Sequence, residues 1–170
     1  MIQITRTGGA QAVESPDGRL LYYLKENKEF TSLWKVPVEG GTPVLISNHA
    51  RMPVVSPDNQ FVALRYYPEG RSPEIVIVPF QGGERIRELP LPVREWQRIQ
   101  WQPDGSRLTY IDVLNGVSNI WSYEIASGSK KQLTDFKTEQ IYAYAWSPDF
   151  KHLACLRGTE IRDVMLISQR

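Results

Sequence analysis

Four copies of one short turn signal run through this chain: Ser15-Pro16-Asp17-Gly18, Ser56-Pro57-Asp58-Asn59, Gln102-Pro103-Asp104-Gly105 and Ser147-Pro148-Asp149-Phe150. Their prolines stand 41, 46 and 45 residues apart. A period in this range marks stacked or radially arranged units, because one such unit cannot bury its own apolar faces. In each copy proline presets φ at the second turn position and Asp can bond its own backbone. Gly or Asn then accepts left-handed geometry.

Aligned on their prolines, the copies show a common strand. Leu21, Val62, Leu108 and Leu153 lie five residues on, and Tyr23, Leu64, Tyr110 and Cys155 lie seven on. Between them stand Tyr22, Ala63, Thr109 and Ala154. Period-two spacing of apolar residues predicts a strand, and the uncharged alternate positions predict burial of both its faces. A second strand follows at Leu33–Val36, Ile75–Val78, Ile120–Tyr123 and Val164–Ile167. Three of these run into glycine turns at Gly40-Gly41, Gly82-Gly83 and Ser127-Gly128. Short outer strands leave those turns, and an inner strand precedes each Pro-Asp, clearest at Ile99–Trp101 and Tyr142–Trp146.

Each unit is thus four antiparallel strands, lettered A to D, and such units at this spacing are β-propeller blades. The predicted fold is all-β: a propeller, or propeller fragment, of four such blades over residues 1–170. The blades are expected at about 8–47, 48–90, 91–135 and 136–170, the last joined by residues 1–7. The opening run Ile2–Thr5 resembles Gln132-Leu133-Thr134, so the N-terminal strand could complete the last blade and remove its open edges. A closed four-bladed monomer, a homodimer closing one eight-bladed ring, and an excerpt of a longer propeller all satisfy the pattern.

The segment Trp146-Ser147-Pro148-Asp149 with Leu153-Ala154, together with Ile120-Trp121 and Gln132-Leu133-Thr134, resembles WD-repeat-like propeller repeats of the TolB type. The run from Glu14 to Tyr23, followed by Leu33–Val38 and Gly40-Gly41, is similar to copies in bacterial sensor and regulator proteins. There the propeller often follows a winged-helix or kinase domain. The resemblance implies interaction, ligand sensing or scaffolding, and it transfers no catalytic residue.

Twenty basic residues against nineteen acidic ones argue against a broad nucleic-acid footprint. No apolar run is long enough to span a membrane, so no membrane insertion is expected. The N-terminus lacks a charged region followed by an apolar one, and Cys155 alone cannot form an internal disulfide. The compartment stays open between cytoplasm and periplasm. There is no Gly-x-Ser-x-Gly elbow, His-Glu-x-x-His, phosphate loop or calcium loop. Two histidines and one cysteine make a zinc site improbable. No cofactor, metal or catalytic residue is assigned.

The expected function is therefore a non-enzymatic module binding a protein partner or small ligand. The alternatives are a propeller associated with a prolyl-oligopeptidase-like hydrolase and a periplasmic TolB-like adaptor. Binding groups favour long loops, and the B–C and D–A connections are expected to be the longer ones. Arg51, Tyr67, Arg71, Arg94, Glu95, Trp96 and Tyr142 are the candidate partner surface there. Arg85, Arg87, Lys130 and Lys131 are read as charges that blunt outer edges. Trp34, Trp101, Trp121 and Trp146 are read as packing between blades. His152 is expected within a repeat strand, and His49 beside a D–A connection.

Overall fold

The computed structural model describes residues 3–5, 8–92, 99–147 and 149–160. All the regular structure in them is strand. The first sheet is β1 (Ala10–Glu14), β2 (Leu20–Glu26), β3 (Thr31–Pro37) and β4 (Val44–Ser47). The second is β5 (Ala50–Val55), β6 (Phe61–Tyr66), β7 (Glu74–Pro79) and β8 (Arg87–Leu89). The third is β9 (Gln100–Trp101), β10 (Arg107–Leu114), β11 (Val117–Glu124) and β12 (Lys130–Gln132). The fourth holds β13 (Gln140–Trp146) and β14 (Leu153–Gly158). Within each sheet, strands follow chain order and pair antiparallel. The expected strand over Val164–Ile167 lies outside the described residues.

The repeated turns are built as their residue types dictate. Ser15 Oγ donates to Asp17 Oδ1 at 2.6 Å and accepts from the Leu20 amide at 3.0 Å. Ser56 does the same with Asp58 and Phe61, and Ser147 with Asp149 and His152. The fourth turn position is left-handed in all four copies: Gly18, Asn59, Gly105 and Phe150 have φ of 70°, 56°, 67° and 55°. Phe150 holds that conformation without glycine's freedom and lies against Trp146, ring centroids 6.2 Å apart. His152 belongs to this turn rather than to the strand the sequence suggested: β14 starts one residue later.

Faces alternate along each central strand, and the alternation sets the order of sheets. Tyr22 and Leu24 of the first sheet pack on Val62, Leu64, Val76 and Val78 of the second. Ala63, Ile75 and Ile77 on the second sheet's other face pack on Trp101, Leu108 and Tyr110 of the third. Ile111 and Ile120 of the third meet Ile141 and Tyr144 of the fourth. Lys35 crosses the first of these junctions. Its Nζ donates to the Phe80 carbonyl at 2.8 Å and Gln81 Oε1 at 2.9 Å, and burial pulls its pKa down.

Several expectations change here. Burial of both strand faces holds for β6 but not β14, where Ala154 and Leu156 are exposed. The basic outer residues do more than blunt edges. Arg87 donates to the Ile125 carbonyl and Lys130 to the Pro90 carbonyl, each reaching a neighbouring unit. Trp101 and Trp146 do join sheets, through Val54 O and Thr109 Oγ1. Trp34 is on the first sheet's face away from the second, opposite Tyr23 in register. Among the described residues no strand pairing or apolar cluster joins the fourth sheet to the first. Residues 3–5 carry no strand geometry.

Candidate functional site

The junction of the first two sheets gathers aromatic and cationic side chains at the end where β2 meets β3 and β4 meets β5. Asn27 shapes the first connection, its Oδ1 accepting from the Glu29 and Phe30 amides at 2.8 and 2.7 Å. An Asx turn of this kind places Phe30 without help from a long loop. The second connection is only Asn48 and His49, with His49 left-handed at φ 56°. The His49 carbonyl accepts from the Tyr67 amide at 2.8 Å, fixing the start of the connection after β6.

These backbone devices stack the side chains into a column. The Phe30 and His49 rings lie 4.5 Å apart, and His49 meets Tyr66 edge-on at 5.9 Å. The Arg85 guanidinium lies over Tyr66 at 4.3 Å and also faces Glu74 and Glu88 at 3.8 and 3.2 Å. Arg71 faces Glu74 at 3.9 Å. Beside the column, Arg51 is exposed and its guanidinium stands 5.6 Å from the Tyr67 ring centroid. Tyr66 and Arg85 open onto a groove of about 760 Å³, which Leu45, Asn48 and Glu88 also line.

A cation held over an aromatic ring and still open to solvent can receive an anionic group while the ring supplies apolar contact. Arg51 over Tyr67 thus suits a ligand with a carboxylate or phosphate beside an apolar part, whereas Arg85 in the column already faces Glu74 and Glu88.

Of the predicted site residues, the structure brings together Arg51 and Tyr67, on the face of β5 and β6 opposite Tyr66, while Arg71 joins the column instead, through Glu74, which also faces Arg85. Tyr142 stands on the fourth sheet, at the bulge between Ile141 and Ala143 and beside Gly158. Arg94, Glu95 and Trp96 lie outside the described residues. Sequence reasoning missed Phe30, Tyr66 and Arg85, and it set His49 aside. The only local signal for Phe30 was Asn27 three residues ahead of it. Two connections also differ from expectation, the first of them carrying His49. That between β4 and β5 is two residues, and that between β10 and β11 is a tight Asn115-Gly116 turn.

No protein-family model matches the chain, and no curated protein matches it in sequence. Solved structures do. TolB from Acinetobacter baumannii is similar over 88% of this chain and 37% of its own, at 20% identity and TM-score 0.72. The chain has a TolB-type β-propeller fold. The β-propeller domain of the Trilobed protease from Pyrococcus furiosus, which has an open velcro topology, is similar over 81% of this chain and 45% of its own. Its identity is 17% and its TM-score 0.56. A gluconolactonase from Xanthomonas campestris is similar over 89% of this chain and 54% of its own, at 14% identity and TM-score 0.62. This TolB-like chain therefore spans between 37% and 54% of the length of these proteins. At such identities the likeness speaks for fold, and these neighbours include both enzymes and a non-enzyme.

Proposed function

We propose that the chain is a non-enzymatic β-propeller interaction or sensing module within a larger bacterial regulatory protein. It binds a protein partner or small ligand through the cluster around Arg51 and Tyr67. The exposed Arg51 guanidinium over Tyr67, beside the Phe30–His49–Tyr66–Arg85 column, carries this reading. The rigid sheets below hold these groups in place, so binding costs little ordering entropy. The cations favour an acidic segment or a small carboxylate. Likeness to TolB supports an adaptor version of the same role. The module works as part of a closed ring of blades.

An array of acidic, neutral and basic peptides, read by fluorescence anisotropy, tests the binding role. Acidic peptides should bind, and the Arg51→Ala/Tyr67→Ala double variant should weaken them at least about tenfold, the size of a desolvated anchor. Binding that is equal in wild type and double variant would overturn the site, and so would no binding by any peptide.

A further inference from the structure

The hairpin of β10 and β11 holds one large apolar side chain out of any core. These strands have eight residues each, against seven and six in the central pairs of the first two sheets. Their pairing runs unbroken to Leu114 opposite Val117. Asn115 and Gly116 then close the turn at φ of 51° and 80°. Positive φ at both central positions matches the strands' own twist, so the ladder itself holds the tip. Leu114 at this tip is 76% exposed, more than any other large apolar side chain among the described residues.

Alternation along β10 fixes the side on which Leu114 stands. Leu108 and Tyr110 pack on the second sheet, whereas Val113 packs towards the fourth. Leu114 therefore continues the face of Leu108, Tyr110 and Asp112, past the end of the apolar junction. The facing side of the second sheet runs from Ala63 through Arg65 to Tyr67. Arg51 joins that side opposite Arg65 in register, and its guanidinium stands over Tyr67. Tyr67 lies ten residues past Pro57 and Leu114 eleven past Pro103, so the repeat sets both at the same end of the junction. The mouth of the junction thus has two unlike walls. One carries an exposed guanidinium over a ring, and the other an exposed leucine above the Asp112 carboxylate.

We propose that this mouth docks an extended protein segment carrying one acidic and one large apolar side chain at a fixed spacing. The acidic group goes to Arg51, because Asp112 repels it from the other wall. The apolar side chain covers Leu114. A small carboxylate reaches one wall only and leaves Leu114 in water, so the partner is a polypeptide. Facing sheets lie about 10 Å apart, and an extended chain sends alternate side chains to one side about every 7 Å. A segment crossing the mouth therefore presents both groups to it when they stand two or four positions apart, and not three. This inference rests on the reading of Arg51 and Tyr67 above and deepens it by naming the second anchor.

Fluorescence anisotropy with short labelled peptides tests it. Each peptide carries a Glu with a Leu two, three or four positions along, and a control has Ser in place of that Leu. The peptides spaced by two or four should bind at least about tenfold more tightly than the control, the low end for burying a leucine. Leu114→Ser should abolish that gain and leave the control peptide's binding unchanged, while Leu114→Met should keep the gain. Circular dichroism melting checks that the variants are folded. If Leu114→Ser is not, Leu114→Thr replaces it, since a β-branched residue suits a strand. A gain that survives the loss of Leu114 overturns the proposal. So does an equal gain at a spacing of three, or no gain from Leu at any spacing. Control-peptide binding that the Arg51→Ala/Tyr67→Ala variant loses, with no dependence on Leu114, keeps the ligand site and sinks this inference alone. Absence of binding by every peptide sinks both.

Discussion

The Tyr144 hydroxyl donates to the Thr109 carbonyl at 2.7 Å and lies 3.1 Å from Thr109 Oγ1, tying the fourth sheet to the middle of β10 in the third. Thr109 Oγ1 also accepts from the Trp146 indole at 3.3 Å. Thr109→Val keeps the shape and removes that acceptor, leaving a part-buried indole donor unpaired. The expected loss is about 1–3 kcal/mol in urea unfolding, the usual cost of an unsatisfied buried group. An unchanged midpoint would show that the contact contributes nothing.

Alkaline stability follows from the same burial. Desolvation raises the pKa values of Tyr22 and Tyr144, and it pushes Tyr110 up to about 12. In the unfolded chain these phenols ionise near 10, while in the folded chain they hold their protons. The native state then binds more protons, so stability is fully present below pH 10 and falls as pH rises from 10 towards 12. Thermal melts from pH 8 to 11 should show this decline, and Tyr144→Phe should reduce its slope.

The repeated turn offers a matched pair of variants. Ser56→Ala removes the hydroxyl that bridges Asp58 and the Phe61 amide, and should cost about 1–2 kcal/mol. In the third copy Gln102 stands where the others have serine, and Asp104 is held instead by Ser106, whose amide donates to it at 2.9 Å. Gln102→Ser supplies the missing bridge and should stabilise by about 1 kcal/mol. Opposite shifts in the unfolding midpoint are the outcome to look for.

His49 separates backbone from ring effects at the candidate site. His49→Gly relieves the left-handed backbone, which favours the fold by about 1 kcal/mol. It also withdraws the ring from between Phe30 and Tyr66. Stability should change by less than about 1 kcal/mol as these effects offset, since an aromatic pair contributes about the same amount. Acidic-peptide binding should fall with it. Full binding by His49→Gly would confine the site to Arg51 and Tyr67.

What the chain wrote locally, it determined. The Ser-Pro-Asp turns, the period-two runs after them and the glycine turns at Gly40, Gly82 and Gly128 depend on residues a few positions apart. All three features appear where the pattern puts them. Tertiary structure decided what depends on distance. Phe30, His49, Tyr66 and Arg85 are scattered over 56 positions of sequence and meet only because the first two sheets pack face to face. Arg87 and Lys130 looked like edge charges until the neighbouring sheets brought carbonyls within reach. The open Ala154 face is the sharpest case. Its residue pattern matches buried faces elsewhere in the chain, and only the arrangement of sheets shows that nothing described here covers it. A strand's alternation specifies that a face can be buried; which surface buries it is set by the neighbour.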